Sequence, residues 1–215
     1  MIKIFLLGTA MWCGALLCYG QDSTKTSNPY KHDIGFSTNF LLNGIFNSSG
    51  TPFTLVYKKY TSDYKATRFG TDLFLNYNNL SGSANYYTSF SSGTFQLSFG
   101  REFQKPINTR WCWYFGGDIY ASYIFQNIDT YLNGDINQEN KDTRYGIGFR
   151  PFLAARFNIN SRLYISAEAS LSLGYYSQLN KYKYIPQPED DVELSEGSFS
   201  IATRPASGIF LFYRF

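Results

Sequence analysis

Apolar and polar residues alternate with period two along most of this chain, the pattern of β-strands with one apolar and one polar face. The clearest stretch is Leu163 to Tyr176. There Leu163, Ile165, Ala167, Ala169, Leu171, Leu173 and Tyr175 share one face, and Tyr164, Ser166, Glu168, Ser170, Ser172, Gly174 and Tyr176 the other. A helix would scatter both sets. The preceding segment sets Tyr145, Ile147, Phe149, Pro151, Leu153, Ala155 and Phe157 against Arg144, Gly146, Gly148, Arg150, Phe152, Ala154 and Arg156. Trp111 to Phe125 and Arg68 to Tyr77 repeat it. Shorter versions run from Ile34 to Leu42, Phe53 to Tyr60, Phe95 to Phe103 and Arg204 to Phe215, which brings the strand count to eight. Two details depart from the pattern. Arg101 falls on an apolar face, where a strand-end arginine snorkels to an interface, and Pro151 interrupts a strand interior, where a bulge is expected.

Connection lengths alternate with the same parity. Short polar links fall at Thr61–Lys65, Lys105–Thr109 and Asn158–Ser161, and long ones at Asn43–Pro52, Asn79–Ser92, Asn127–Asp142 and Ser177–Ala202. A soluble sandwich has no reason to gather every long loop at one end, whereas an outer-membrane barrel has short periplasmic turns and long external loops. The predicted fold is all-β: an eight-stranded antiparallel up-and-down transmembrane β-barrel with both termini at the periplasmic end.

Alternation alone does not say which face is outside, and a lipocalin-like barrel with its apolar face turned inward is the rival. Eight strands leave an interior just wide enough for side chains. The face rich in Gly, Ser and opposed charges suits that interior, and the face with Trp, Tyr and Phe near strand ends and Leu, Ile and Ala between suits lipid. On this orientation Lys58, Arg68, Arg144, Arg150, Arg156 and Arg214 share the lumen with Asp72, Glu102, Asp118 and Glu168. Buried charges need partners, and Glu168 with Arg150 is the pair expected from neighbouring strands. A self-satisfied plug is favoured over a charged ion path.

Composition fits. The 215 residues are 44% hydrophobic and 20% aromatic, with 19 Tyr, 20 Phe and 18 Gly, and only 16% are charged. That is too apolar for disorder, yet past the first twenty residues no stretch reaches the ~18 apolar residues of a membrane helix. Residues 1–20, with Lys3 before an apolar run from Ile4 to Leu17 and Cys18-Tyr19-Gly20 at the end, read as a secretory signal peptide cleaved before Gln21. Trp12 before Cys13 and Leu17 before Cys18 are too large for a lipoprotein signal. Cleavage removes one charge from the net +3, leaving no basic field for nucleic acid. It leaves Cys112 as the single cysteine, so no internal disulfide forms. Residues 21–31 form a short periplasmic lead-in to a barrel domain spanning 32–215.

The chain ends in Ile209-Phe210-Leu211-Phe212-Tyr213-Arg214-Phe215. With the leader and the loop parity, this ending resembles small outer-membrane barrels of the OmpA/OmpX type. In that family a terminal Phe preceded by apolar residues at alternate positions is the sorting signal for the barrel-assembly machinery, and Phe215, Tyr213, Leu211 and Ile209 match it. The resemblance implies bilayer lipids, lipopolysaccharide and that machinery as partners.

Candidate chemistry is sparse. His32, the only histidine, lies at the periplasmic entry of the first strand, away from the outer rim where a triad in an external-loop site would need it. Cys112 is read as lumen filler, since one cysteine makes no thiolate zinc cluster. Gly146 and Gly148 sit inside a strand and precede no helix, so they are no phosphate loop; they make room for bulky neighbours such as Tyr164 or Tyr176. The last long loop joins Lys181-Tyr182-Lys183-Tyr184, which could touch lipopolysaccharide phosphates, to Glu189, Asp190, Asp191, Glu193 and Glu196, which could hold a divalent cation. A solvated loop is the favoured reading. No catalytic, cofactor or metal residue is assigned. The expectation is a non-catalytic structural or surface-interaction protein of the outer membrane, its external ligand unknown; a small passive pore is the alternative, and a lipid A-modifying enzyme comes third.

Overall fold

The computed structural model describes residues 30–38, 53–80, 86–185 and 191–215, with the side chains of 79, 80 and 204–207 outside that description. The predicted leader, most of the lead-in, the first long connection and the far half of the first predicted strand lie outside the described residues. Eight strands follow in order: β1 His32–Ser37, β2 Phe53–Ser62, β3 Lys65–Leu80, β4 Tyr86–Pro106, β5 Trp111–Leu132, β6 Asp135–Asn158, β7 Leu163–Tyr184 and β8 Val192–Arg214. Each pairs antiparallel with the next, and β1 pairs with β8 from Asp33↔Arg214 to Ser37↔Phe210, closing the barrel. Closure removes the free edges that an open sheet would expose.

Two of the three short turns are built by a repeated sequence, Ile107-Asn108-Thr109-Arg110-Trp111 and Ile159-Asn160-Ser161-Arg162-Leu163. The side-chain oxygen of Asn108 accepts the backbone N–H groups of Arg110 and Trp111 at 2.9 and 2.8 Å, and that of Asn160 those of Arg162 and Leu163 at 2.8 and 2.7 Å. These amides mimic a backbone turn and fix the hairpin without extra residues.

At the opposite end the strands run much further than alternation indicates. β5 and β6 continue to a two-residue hairpin at Asn133-Gly134, both at positive φ (54° and 91°), the geometry of a tight primed turn. β7 extends to Tyr184, and β8 begins at Val192. The expected loops Asn127–Asp142 and Ser177–Ala202, and part of Asn79–Ser92, are therefore largely paired strand.

Pro151 makes no bulge. The register is the same on both sides of it, Phe149↔Leu173 and Phe152↔Ser170, and the ladder towards β5 is continuous through Gly117↔Pro151. Its missing N–H is absorbed as a gap in the rungs towards β7. The bulge near mid-strand lies instead between Glu168↔Gly208 and Ser170↔Arg204, where residues 205–207 of β8 face Ala169 alone.

Orientation follows the predicted faces. Ile147, Leu75, Ile119, Phe115 and Leu97 point outward and are half or more exposed, while Tyr114, Tyr164, Lys58 and Glu102 are fully buried inside. Tyrosines ring the outer surface near the long-strand end, at Tyr77, Tyr123, Tyr145 and Tyr175, and aromatic residues gather at the short-turn end, at Tyr57, Trp111, Trp113, Tyr213 and Phe215. Beyond the first ring the outward positions become mixed: Ser89 and Ser91 on β4, Asn127 and Asp129 on β5, Lys141 and Glu139 on β6 and Lys181 and Lys183 on β7 are polar, while Leu179 and the stacked Tyr87–Tyr131 pair are not.

Candidate functional site: a filled lumen and a projecting ribbon

The interior is filled by charge and aromatic rings together. Arg68 is the hub: its guanidinium meets Glu168 at 3.0 Å and Glu102 and Asp118 at 3.7 Å each, and lies 3.9 Å from the Phe152 ring centre. Lys58 holds Glu102 at 2.7 Å, with its ammonium 4.2 and 4.3 Å from the ring centres of Tyr114 and Phe212. Gln104 donates to Glu102 at 2.6 Å and accepts from Arg156 at 2.9 Å, extending the network towards the turn end. Each of these buried groups has an opposite charge or a hydrogen-bonding partner, although Arg68 Nε and Asp118 Oδ1 make no hydrogen bond among the described residues, and breaking one partner would strand the rest.

Glu168 thus meets Arg68 across the lumen rather than the expected Arg150, which reaches Asp72 at 3.7 Å. Neighbouring strands are not the shortest route between side chains in so narrow a barrel, because long side chains span the interior. Arg144, expected in the lumen, lies above this network and grips Asp142 at 2.6 Å. Cys112 is buried as expected, its thiol donating to the Trp113 carbonyl at 3.1 Å.

Asp33 was missed in the sequence pattern. It closes the turn end, accepting from Tyr60 and Tyr164 at 2.6 Å each with Arg214 at 4.0 Å. Its inward parity with Gly35 is a signal that could have found it, but β1 is too short for alternation to stand out. Aromatic residues fill the remaining width. Tyr164 stacks on Phe212 at 4.7 Å, and Tyr114 meets Phe152 edge-on at 6.2 Å. Higher up, Tyr120 and Tyr176 bring their hydroxyls to 3.4 Å across the interior. A Cβ at Gly148 would strike the Tyr120 ring at 2.5 Å and one at Gly146 the Tyr176 ring, so these glycines are required by close approach. Tyr120, not the expected Tyr164, is the ring that Gly148 admits.

Past the tyrosine ring, β3 to β8 continue among the described residues as a paired ribbon, tallest at β5–β7. Its inner face carries Gln126, Gln138, Asn140, Gln178, Asn180 and Tyr182, and its outer face pairs Lys141 with Glu139 at 2.8 Å and Lys181 with Glu193 at 3.0 Å. The Glu139 carboxyl is held below its ordinary pKa by the hydrogen bond from Lys141, and the Lys141 ammonium is raised by the same contact.

The described members of the acidic run do not come together. Asp191 accepts the Tyr184 N–H at 3.0 Å, Glu193 faces outward and Glu196 inward, and Glu189 and Asp190 lie outside the described residues. No cluster of metal-ligating side chains occurs among the described residues. His32 stacks on Tyr57 and Phe215 with ring centres 5.8 and 5.6 Å away and shares a 2.6 Å hydrogen bond with the Tyr57 hydroxyl, far from the ribbon.

Apolar residues outside, ions and aromatic residues inside, and aromatic girdles at two levels define a transmembrane β-barrel of the small eight-stranded kind. No family model and no curated protein matches the chain. Among solved structures it is similar to the crystal structure of Ail, the attachment invasion locus protein of Yersinia pestis, at 15% identity over 86% of this chain and 94% of that one, with a TM-score of 0.38.

Proposed function

We propose that the protein is an integral outer-membrane barrel with a non-catalytic surface role, presenting the β3–β8 ribbon to the exterior from a membrane-anchored, ion-filled stem. The carrying observation is the contrast between the two halves. The stem commits its interior to the Arg68 and Lys58 networks, while the ribbon is held by backbone pairing and exposes polar side chains on both faces. The short Asn108 and Asn160 turns then face the periplasm, and the assembly machinery reads the β8 end at Phe215. The chain's one histidine sits at that turn end, which supports a role without hydrolytic chemistry at the ribbon.

The test is topological. A cysteine placed at Asn133 should be labelled by a membrane-impermeant maleimide on intact cells, and one at Ser161 only after permeabilisation; the reverse would refute the orientation. A pore is the competing role. Purified barrel in a planar bilayer should give no sustained conductance, because the Tyr114, Tyr164, Phe212 and Arg68 side chains fill the lumen. Lipid A from a deletion strain should keep its acylation profile; an altered one would restore the enzyme reading.

A further inference from the structure

One cluster of charge lies on the wrong face. Arg101 points outward from β4 between Phe99 and Phe103, and it is exposed. It is not at a strand end, since β4 continues to Pro106. The register sets Lys59 of β2 opposite Thr67 of β3, and Thr67 opposite Arg101. Lys59 and Arg101 therefore flank a threonine on one outward tier, with Lys65 the next outward position along β3 towards the turn. Lys59 and Lys65 are exposed as well. The tier is bordered by Tyr57, Phe69 and Phe99 on one side and Phe103 on the other.

None of the ion pairs among the described residues involves Lys59, Lys65 or Arg101. The ribbon's outer lysines differ, because Lys141 and Lys181 each hold a glutamate. A cation on a lipid-facing strand is unfavourable unless it reaches the interface or an anion. Three cations and a hydroxyl, in no ion pair among the described residues and set against exposed aromatic rings, match an amphiphile with acyl chains on the rings and a phosphate among the cations.

We propose that the outward Lys59–Thr67–Arg101 tier, with Lys65, binds the phosphate of an anionic phospholipid in the membrane leaflet nearer the short turns. Two contacts from separate strands, β2 and β4, fix that headgroup on the outer face and so set the depth of the barrel in the bilayer. This deepens the membrane reading and rests on it.

The chain carries its own reporter. Apart from Trp12 in the predicted leader, its tryptophans are Trp111 and Trp113. Trp113 is exposed on β5, across from Lys105 of the same β4 strand. The protein is folded into phosphatidylcholine vesicles containing a minor fraction of phosphatidylglycerol, with bromine on the acyl chains of either one lipid or the other. Brominated phosphatidylglycerol should quench tryptophan beyond its share of the lipid, with an enrichment of roughly five-fold per engaged cation at low salt. Lys59→Gln, Lys65→Gln and Arg101→Gln together should abolish the excess and leave quenching by brominated phosphatidylcholine intact, and Lys59→Arg with Arg101→Lys should retain it. Quenching proportional to composition in the unsubstituted protein would overturn the site. So would an excess that survives the three glutamine substitutions, because the enrichment would then rest on other cations of the barrel. Absence of quenching by either lipid would instead overturn the membrane reading itself.

Discussion

At the scale of the residue, the interior is organised around groups that cannot be removed singly. Arg68 is nearly fully buried and serves three carboxylates, so Arg68→Met withdraws the shared cation from Glu102, Asp118 and Glu168 at once. Breaking one side of a buried ion network costs about 3–5 kcal/mol, and the urea midpoint of the barrel in lipid vesicles should fall accordingly. Lys58→Met combined with Glu102→Leu removes both members of the 2.7 Å pair, and it should cost far less than either single change. If the double variant were as unstable as the worse single one, the packing of Tyr114 and Phe212 around the ammonium would matter more than its charge. The sequence showed which of these residues share a face, because parity fixes that, and the Gly, Ser and opposed charges on that face pointed it inward. It did not show who pairs with whom: Arg150 and Glu168 belong to adjacent strands, yet Arg68 of β3 is the residue that reaches Glu168. Side-chain length across a narrow interior decides pairing, and strand order does not encode it.

At the scale of the element, strands are legible only where one face is apolar. Trp111 to Phe125 alternates, so its membrane half stood out; from Gln126 to Leu132 both faces are wet or mixed, and β5 continues there on cross-strand hydrogen bonds that leave little trace in hydropathy. The same holds for β6 before Tyr145 and β7 after Tyr176. Only the Asn133-Gly134 pair hinted at a hairpin inside what otherwise read as loop. Because the ribbon lacks a core, surface pairs make up a larger share of its stability. The Glu139–Lys141 contact lowers the carboxyl pKa in the folded ribbon below its ordinary value of 4.5. The unfolded ribbon therefore binds a proton first as pH falls, and the pair's contribution is complete at neutral pH and lost as pH drops through the depressed folded value. For an exposed pair the effect is small, about 0.2–1 kcal/mol. Hydrogen exchange of the Asp135–Lys141 amides, corrected for intrinsic rate, should show faster opening as pH falls below the ordinary carboxyl value of 4.5 in the natural protein, and a smaller acid step in Glu139→Gln.

At the scale of the whole molecule, the fold inverts the usual burial of a soluble protein, and that inversion can be tested at one position. Leu97 faces outward on β4, about half exposed, midway between Phe103 and Ser91 on that face. If the surface met water, Leu97→Arg would replace an exposed apolar side chain by a soluble one and change stability by a few tenths of a kcal/mol, as surface substitutions usually do. If it meets hydrocarbon, the same change places a guanidinium near the bilayer midplane at a cost of about 2–4 kcal/mol. The comparison with Arg101, only four residues along the same strand, sharpens the point. Arg101 lies closer to the short turns and shares its tier with Lys59 and Thr67, where cost falls towards zero near the interface. Reversible urea titrations in vesicles should therefore show Leu97→Arg strongly destabilised, while Arg101→Leu leaves the midpoint nearly unmoved. Depth along the outward face, and not exposure as such, would then govern what each position tolerates; a mild effect at Leu97 would return the barrel to water.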